Sequence, residues 1–160
     1  MSKRAILIAT LLLTLSFYRT MPTVAGRVES VCTGVIGAQR FENLDVPAGA
    51  NCTLNGTQID GNIKVGLNAT LQASGVTVGG NIQAEGSTAV TVNNHSTVGG
   101  SIQIKQGGSA TADQVQVTGD IQLEANSGAL LVTQNRAGGN IQIVQNRGGA
   151  TITDNRINGN

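Results

Sequence analysis

"GGNIQAEGSTAVTVNNHSTVGGSIQIKQ" runs from Gly79 to Gln106 and holds one phrase twice, Gly-Gly-Asn/Ser-Ile-Gln, with 20 residues between the starts of the two copies. The phrase recurs outward in both directions. It stands as Gly61-Asn62-Ile63-Lys64, Gly80-Asn81-Ile82-Gln83, Gly100-Ser101-Ile102-Gln103, Gly119-Asp120-Ile121-Gln122 and Gly139-Asn140-Ile141-Gln142. Asn43-Leu44-Asp45-Val46 is a degenerate first copy, and Gly159-Asn160 begins a seventh. The intervals are 19, 19, 20, 19, 20 and 20 residues. A period of this size marks a solenoid, in which each unit buries its apolar face against the next.

Within each unit the period is two. Leu44, Ile63, Ile82, Ile102, Ile121 and Ile141 occupy one position, and Val46, Val65, Ala84, Ile104, Leu123 and Ile143 occupy the position two residues on. Polar residues lie between them, which is the alternation of a strand with one buried face. A second strand follows, with the inward pairs Cys52/Leu54, Leu71/Ala73, Val90/Val92, Ala110/Ala112, Leu130/Val132 and Ala150/Ile152. A third, short strand carries Ile59, Val78, Val98, Val117, Ala137 and Ile157. The spacing predicts an all-β fold, a single-stranded parallel β-helix of about six coils with 19–20-residue repeats. The expected hand is right. Coils stacked about 4.8 Å apart would give a rod of about 29 Å. The Leu-x-x-Leu-x-Leu frame of a leucine-rich repeat is absent, as is helical i, i+3, i+4 spacing. Glycine at each repeat corner is expected to supply positive φ. The following Asn, Asp or Ser is expected to hydrogen-bond the turn backbone.

"ATITDNRINGN", Ala150 to Asn160, resembles the repeat unit of the right-handed pectin-lyase-like β-helix superfamily. The series from about Val31 to Asn160 also resembles small secreted bacterial repeat proteins of unknown function, in which "CTG", "CTLNG" and "GGNIQ" elements recur. Bactofilins, bacterial polymer-forming scaffolds, are similar in their short glycine-punctuated coils. That family is cytoplasmic, and the N-terminus of this chain departs from it.

That N-terminus reads as a secretory signal, residues 1–25. Lys3 and Arg4 precede the apolar run Ala5 to Phe17, and Thr23-Val24-Ala25 has the small-x-small form of a cleavage site. The run is too short to span a bilayer, so no transmembrane segment is expected in the mature chain. Residues 26–42 are expected to form an N-terminal cap and 43–160 the repeats. Of the ten basic residues, cleavage removes Lys3, Arg4 and Arg19, leaving seven against nine acidic ones. A net charge of −2 gives no footprint for nucleic acid. Phe41 becomes the only aromatic residue, so the core must be aliphatic and narrow.

Cys32 and Cys52 are one repeat apart, which is expected to put them on adjacent rungs of one column. Export favours a disulfide there, stapling the cap to the first coil. His95 is the only histidine and is expected in an exposed turn, away from any metal-ligand partner. Glu85, Lys105 and Glu124 share a column of alternating charge, as do Asp45 and Lys64. Pectate-cleaving members of the resembled superfamily use clustered acidic calcium ligands and a basic catalytic residue. Asp45, Asp60, Asp113 and Asp120 fall in different columns, so no catalytic, cofactor-binding or metal residue is assigned and no cofactor is expected. Arg136 and Arg156 are expected to stack near the end of the rod with Arg147 nearby, as solvated rim charge, the alternative being a surface contact for an anion or a polysaccharide. The outward file Thr53, Gln72, Thr91, Thr111, Leu131 and Thr151 is too imperfect to bind ice. The Gln83–Gln142 column is expected to be an amide ladder. Asn51, Asn55, Asn68 and Asn94 fit N-x-S/T, which matters only in a eukaryotic secretory pathway.

These features lead us to expect a secreted, non-catalytic scaffold or surface-interaction protein, located outside the cell, at its surface or in the periplasm. The alternative is a carbohydrate-binding or polysaccharide-active module, opposed by the lack of exposed Trp or Tyr to stack on sugars. A bactofilin-like polymer is a lesser alternative. The sequence stops at Gly159-Asn160, one residue into a new coil, and two expectations follow: an uncapped C-terminal coil with self-association through it, or a cap lost by truncation.

Overall fold

A computed structural model describes residues 30–159. The signal segment 1–25 and the start of the expected cap lie outside these residues. The described chain is all β, with three strands per coil. Coil 1 comprises Ser30–Val31, Val35–Ile36 and Arg40–Phe41, and coil 2 Leu44–Val46, Asn51–Asn55 and Gln58–Ile59. Coil 3 comprises Ile63–Val65, Thr70–Ser74 and Thr77–Val78, and coil 4 Ile82–Glu85, Ala89–Asn93 and Thr97–Val98. Coil 5 comprises Ile102–Lys105, Ser109–Asp113 and Gln116–Val117, and coil 6 Ile121–Glu124, Leu130–Thr133 and Arg136–Ala137. Coil 7 comprises Ile141–Val144, Ala150–Thr153 and Arg156–Ile157. Equivalent strands pair in parallel to make three seven-stranded sheets. Among the described residues no helix is long and apolar enough to cross a membrane.

Register follows the repeat. Ile63, Ile82, Ile102, Ile121 and Ile141 are successive partners in the first sheet, and Thr77, Thr97, Gln116, Arg136 and Arg156 in the third. The inward residues of coils 2 to 6 are buried; Ile63, Ile82, Ile102 and Ile121 have no exposure. Ser30–Phe41, inside the segment expected to be a cap, forms a short coil of its own. Ser30 pairs with Leu44, only 14 residues on, whereas Arg40 pairs with Gln58, 18 residues on.

That short coil corrects the expected placement of the cysteines. The disulfide between Cys32 and Cys52 is present. Its two halves do not share a column. Cys32 follows Ser30–Val31 in the first sheet, and its N–H donates to the Asp45 carbonyl at 2.8 Å, which puts it in line with Val46. Cys52 lies in the second sheet, where Val35 pairs with Thr53 and Gly34 is therefore in line with Cys52. A spacing of 20 residues means one column only where the coil has full length. In coil 1 the bridge instead ties two sheets together across the interior, with both sulfur-bearing residues buried.

The repeat glycines have a different cause from the one expected. Positive φ is found at Gly49, Gly56, Gly75, Gly86 and Gly149, none of them in the Gly-Gly-Asn phrase. The phrase needs glycine for space. A Cβ on Gly80 would strike the Asn62 side-chain oxygen and the Gly61 carbonyl, one on Gly100 the Asn81 side-chain oxygen and the Gly80 carbonyl, and one on Gly119 the Ser101 hydroxyl and the Gly100 carbonyl. At this second glycine of the phrase one coil sits so closely on the next that no side chain fits between them, whereas the first position carries Thr118 and Asn158 in two of the coils.

Candidate functional site

The polar residue after each glycine bonds the neighbouring coil, where its own turn had been expected. Asn43 Oδ1 accepts the Asn62 N–H at 2.9 Å, Asn62 Oδ1 that of Asn81 at 2.8 Å, and Asn81 Oδ1 that of Ser101 at 2.8 Å. Ser101 Oγ accepts the Asp120 N–H at 3.0 Å, and Asp120 Oδ1 that of Asn140 at 2.6 Å. On the outer face of the first sheet, Gln83 Nε2 donates to Gln103 Oε1 at 3.2 Å and Gln103 Nε2 to Gln122 Oε1 at 3.1 Å. The Gln122 amide then turns to Asp120 Oδ2 at 3.4 Å, so the glutamine ladder covers three rungs and stops short of Gln142.

Two further ladders were missed in the sequence. Asn126 and Asn135 are buried. Asn126 Oδ1 accepts from the Gly107 N–H at 2.9 Å, and its Nδ2 donates to the Ile104 carbonyl at 3.0 Å and to Asn146 Oδ1 at 3.0 Å. Asn135 Oδ1 accepts from the Val115 N–H at 2.9 Å, and its Nδ2 donates to the Ala112 carbonyl at 2.8 Å and to Asn155 Oδ1 at 3.0 Å. The signal was a recurring tripeptide: Gln134-Asn135-Arg136, Gln145-Asn146-Arg147 and Asp154-Asn155-Arg156. Its first residue has φ of 55° to 56° each time, and its arginine is exposed.

The same tripeptide lies at two different corners. Gln134–Arg136 and Asp154–Arg156 lead into the third sheet, where Arg136 and Arg156 are register partners. Gln145–Arg147 lies between the first and second strands of coil 7, so Arg147 is on another corner, apart from the other two. Arg136 joins His95, Gln114, Gln116 and Gln134 in lining an open groove of about 390 Å³. His95 is exposed with φ of 58°, in the turn where it was expected. Neither Arg136 nor Arg156 has a salt bridge among the described residues.

Arg40, in the same third-sheet column, contrasts with them. Its Nε donates to Asp60 Oδ2 and its Nη2 to Asp60 Oδ1, both at 2.9 Å. That hydrogen bond, and then the charge of Asp60, raises the Arg40 pKa above its ordinary range. A second groove, of about 450 Å³, crosses the first sheet between Asp45, Lys64, Gln83, Glu85, Gln103 and Lys105. Glu85, Lys105 and Glu124 stack there as expected, and Lys105 Nζ lies 3.3 Å from Glu124 Oε2. Asp45 pairs in register with Lys64. Asp60 and Asp113 are occupied elsewhere, by Arg40 and by the Thr133 hydroxyl at 2.6 Å. Among the described residues no three His, Cys, Asp or Glu side chains converge on a point where a metal could be held. Asn51, Asn55, Asn68 and Asn94 are all exposed.

Comparison of the chain with protein-family models, with curated proteins and with solved structures gives no match.

Proposed function

We propose that the chain is a secreted structural scaffold, a β-solenoid that presents polar faces to other molecules outside the cell or at its surface. One observation carries this reading. The recurrent Asn, Ser, Asp and Gln side chains, which would be the raw material for chemistry, are used to bond one coil to the next. The resemblance of the repeats to small secreted GGNIQ-repeat proteins supports it, as does a disulfide suited to an oxidising compartment.

Assembly through coil 7 belongs to the same proposal. Ile152 and Ile157 are 48% and 42% exposed, while their register partners in coil 6, Val132 and Ala137, are buried. Head-to-tail growth of the bactofilin kind would seat coil 7 on coil 1. Coil 1 is shorter and has Gln39, in register with Thr57, in the column where later coils carry Asn135 and Asn155, so the asparagine ladder would not continue. Contact between two C-terminal coils fits better. Sedimentation of the chain from Gly26 onward tests this: self-association at micromolar concentration is expected, and a monodisperse monomer would remove the assembly proposal.

The second reading, a carbohydrate-binding module, draws on the first-sheet groove, whose carboxylates, amides and lysines could meet sugar hydroxyls. Binding or turnover on a glycan array, lost on replacing Gln103 and Lys105, would favour it over the scaffold.

A further inference from the structure

We propose that the third-sheet groove of coils 4 to 6, extended by Arg156, is a binding site for phosphate. Arg136 and Arg156 stand on successive rungs, about 4.8 Å apart at the backbone, and both point outward. Like charges on neighbouring strands repel, and no side chain of the described residues forms a salt bridge with either. Arg40 shows that this column can be neutralised from within, because Asp60 stands beside it on the next rung. The position equivalent to Asp60 is Gly138 in coil 6 and Asn158 in coil 7, so that device is missing where two arginines meet.

The groove beside Arg136 is lined by donors. Gln114, Gln116 and Gln134 offer amides, His95 an imidazole, and no carboxylate lines it. Asp154 is the next residue in the corner file after Gln134, and it makes no ion pair with either arginine. A divalent tetrahedral oxyanion can accept from both guanidinium forks at once, whereas a monovalent carboxylate fills one. Phosphate is therefore the chemistry the pair selects, either as the free ion or as repeated groups on an extended polymer that follows the rungs. The site does not depend on the assembly proposed above. Sedimentation of the doubly substituted protein would show whether the two stand or fall separately.

The test is an NMR titration of the chain from Gly26 onward with inorganic phosphate, a short linear polyphosphate and acetate. Phosphate is expected to shift the Arg136 and Arg156 side-chain signals and the Gln134 amide. Arg136→Gln and Arg156→Gln should each weaken binding about tenfold, the loss expected for one charge-assisted contact. Arg136→Lys, which keeps the charge and loses the fork, should also weaken it. Arg40→Gln and Arg147→Gln should leave it unchanged. Tighter binding of polyphosphate at equal phosphate concentration would identify a polymer as the source, and equal binding the free ion. No shift with phosphate, equal shifts with acetate, or an equal loss in Arg147→Gln would each overturn the proposal.

Discussion

Arg40 and Arg136 occupy one column of the third sheet, in coils 1 and 6, and only their neighbours differ. Arg40 is held by both oxygens of Asp60, while Arg136 meets a second arginine. The two ends of the solenoid differ in the same way. Coil 1 is short, has strands of two residues, and is fastened by the Cys32–Cys52 bridge and the Arg40–Asp60 pair. Coil 7 is full length, has no such fastening among the described residues, and exposes Ile152 and Ile157. A periodic scaffold repeats the geometry of a position at every rung. The role of a residue is then set by the side chain one rung away, so a column can be structural at one end and available for binding at the other.

The comparison presupposes a common interior, and that is the place to break it hardest. Ile121 is fully buried between Ile102 and Ile141, one coil in from the last. Ile121→Asp would bury a charge without a partner and should cost several kcal/mol, enough to unfold much of an ordinary domain. Gln122→Ser, the next residue and outward-facing, should cost far less. Denaturant unfolding of both variants checks this, and equal tolerance would mean that the assigned faces are wrong.

Next in size is the fastening of coil 1. Cys32→Ser with Cys52→Ser opens a loop of about 20 residues, which the chain-entropy model values at about 3 kcal/mol less any strain. Hydrogen exchange should quicken in Ser30–Phe41 and leave coils 5 and 6 unchanged. Even acceleration along the whole rod would show that the two ends are not independent.

The sequence carried the columns well because burial on a strand has a period of two and the coils have almost constant length. The inward strand residues of coils 2 to 6 could be placed by counting. Counting failed at Cys32, where the coil is shorter and a 20-residue interval no longer means one column. It failed again at the paired glycines, since a sequence shows that a Cβ is absent without showing whether φ or space excludes it. Arg147 was grouped with Arg136 and Arg156 by proximity in the chain, although a triangular coil carries residues eleven apart to different corners. Asn126 and Asn135 went unread because polar residues at inward positions look like breaks in the pattern until their partners on the next coil are seen.

Those asparagines give the third comparison, between the buried corner of coil 6 and the same corner of coil 3. Val76 stands in coil 3 where Asn135 stands in coil 6. Asn135→Ala would leave the Val115 N–H and the Ala112 carbonyl without a side-chain partner, at about 1–3 kcal/mol. Val76→Ala removes only apolar volume and should leave the backbone bonds of its corner intact, including Val76 N–H to Ser96 Oγ at 3.1 Å. Amide exchange separates the two: Val115 should lose protection in the first variant, while Val76 keeps it in the second.

The smallest effects belong to the arginines themselves, and here the sign matters more than the size. Arg40→Gln removes a two-point ion pair on an exposed surface, so the melting temperature should fall slightly. Arg136→Gln removes repulsion from Arg156 and no pairing, so the melting temperature should hold or rise slightly. Raising the salt concentration screens both interactions, and the two variants should converge on the parent protein as the Debye length shortens. Thermal melts at low and high salt measure this directly. A fall for Arg136→Gln as large as that for Arg40→Gln would mean that Arg136 has a stabilising partner after all. The arginine pair would then be part of the framework, and the contrast between the two ends of the column would disappear.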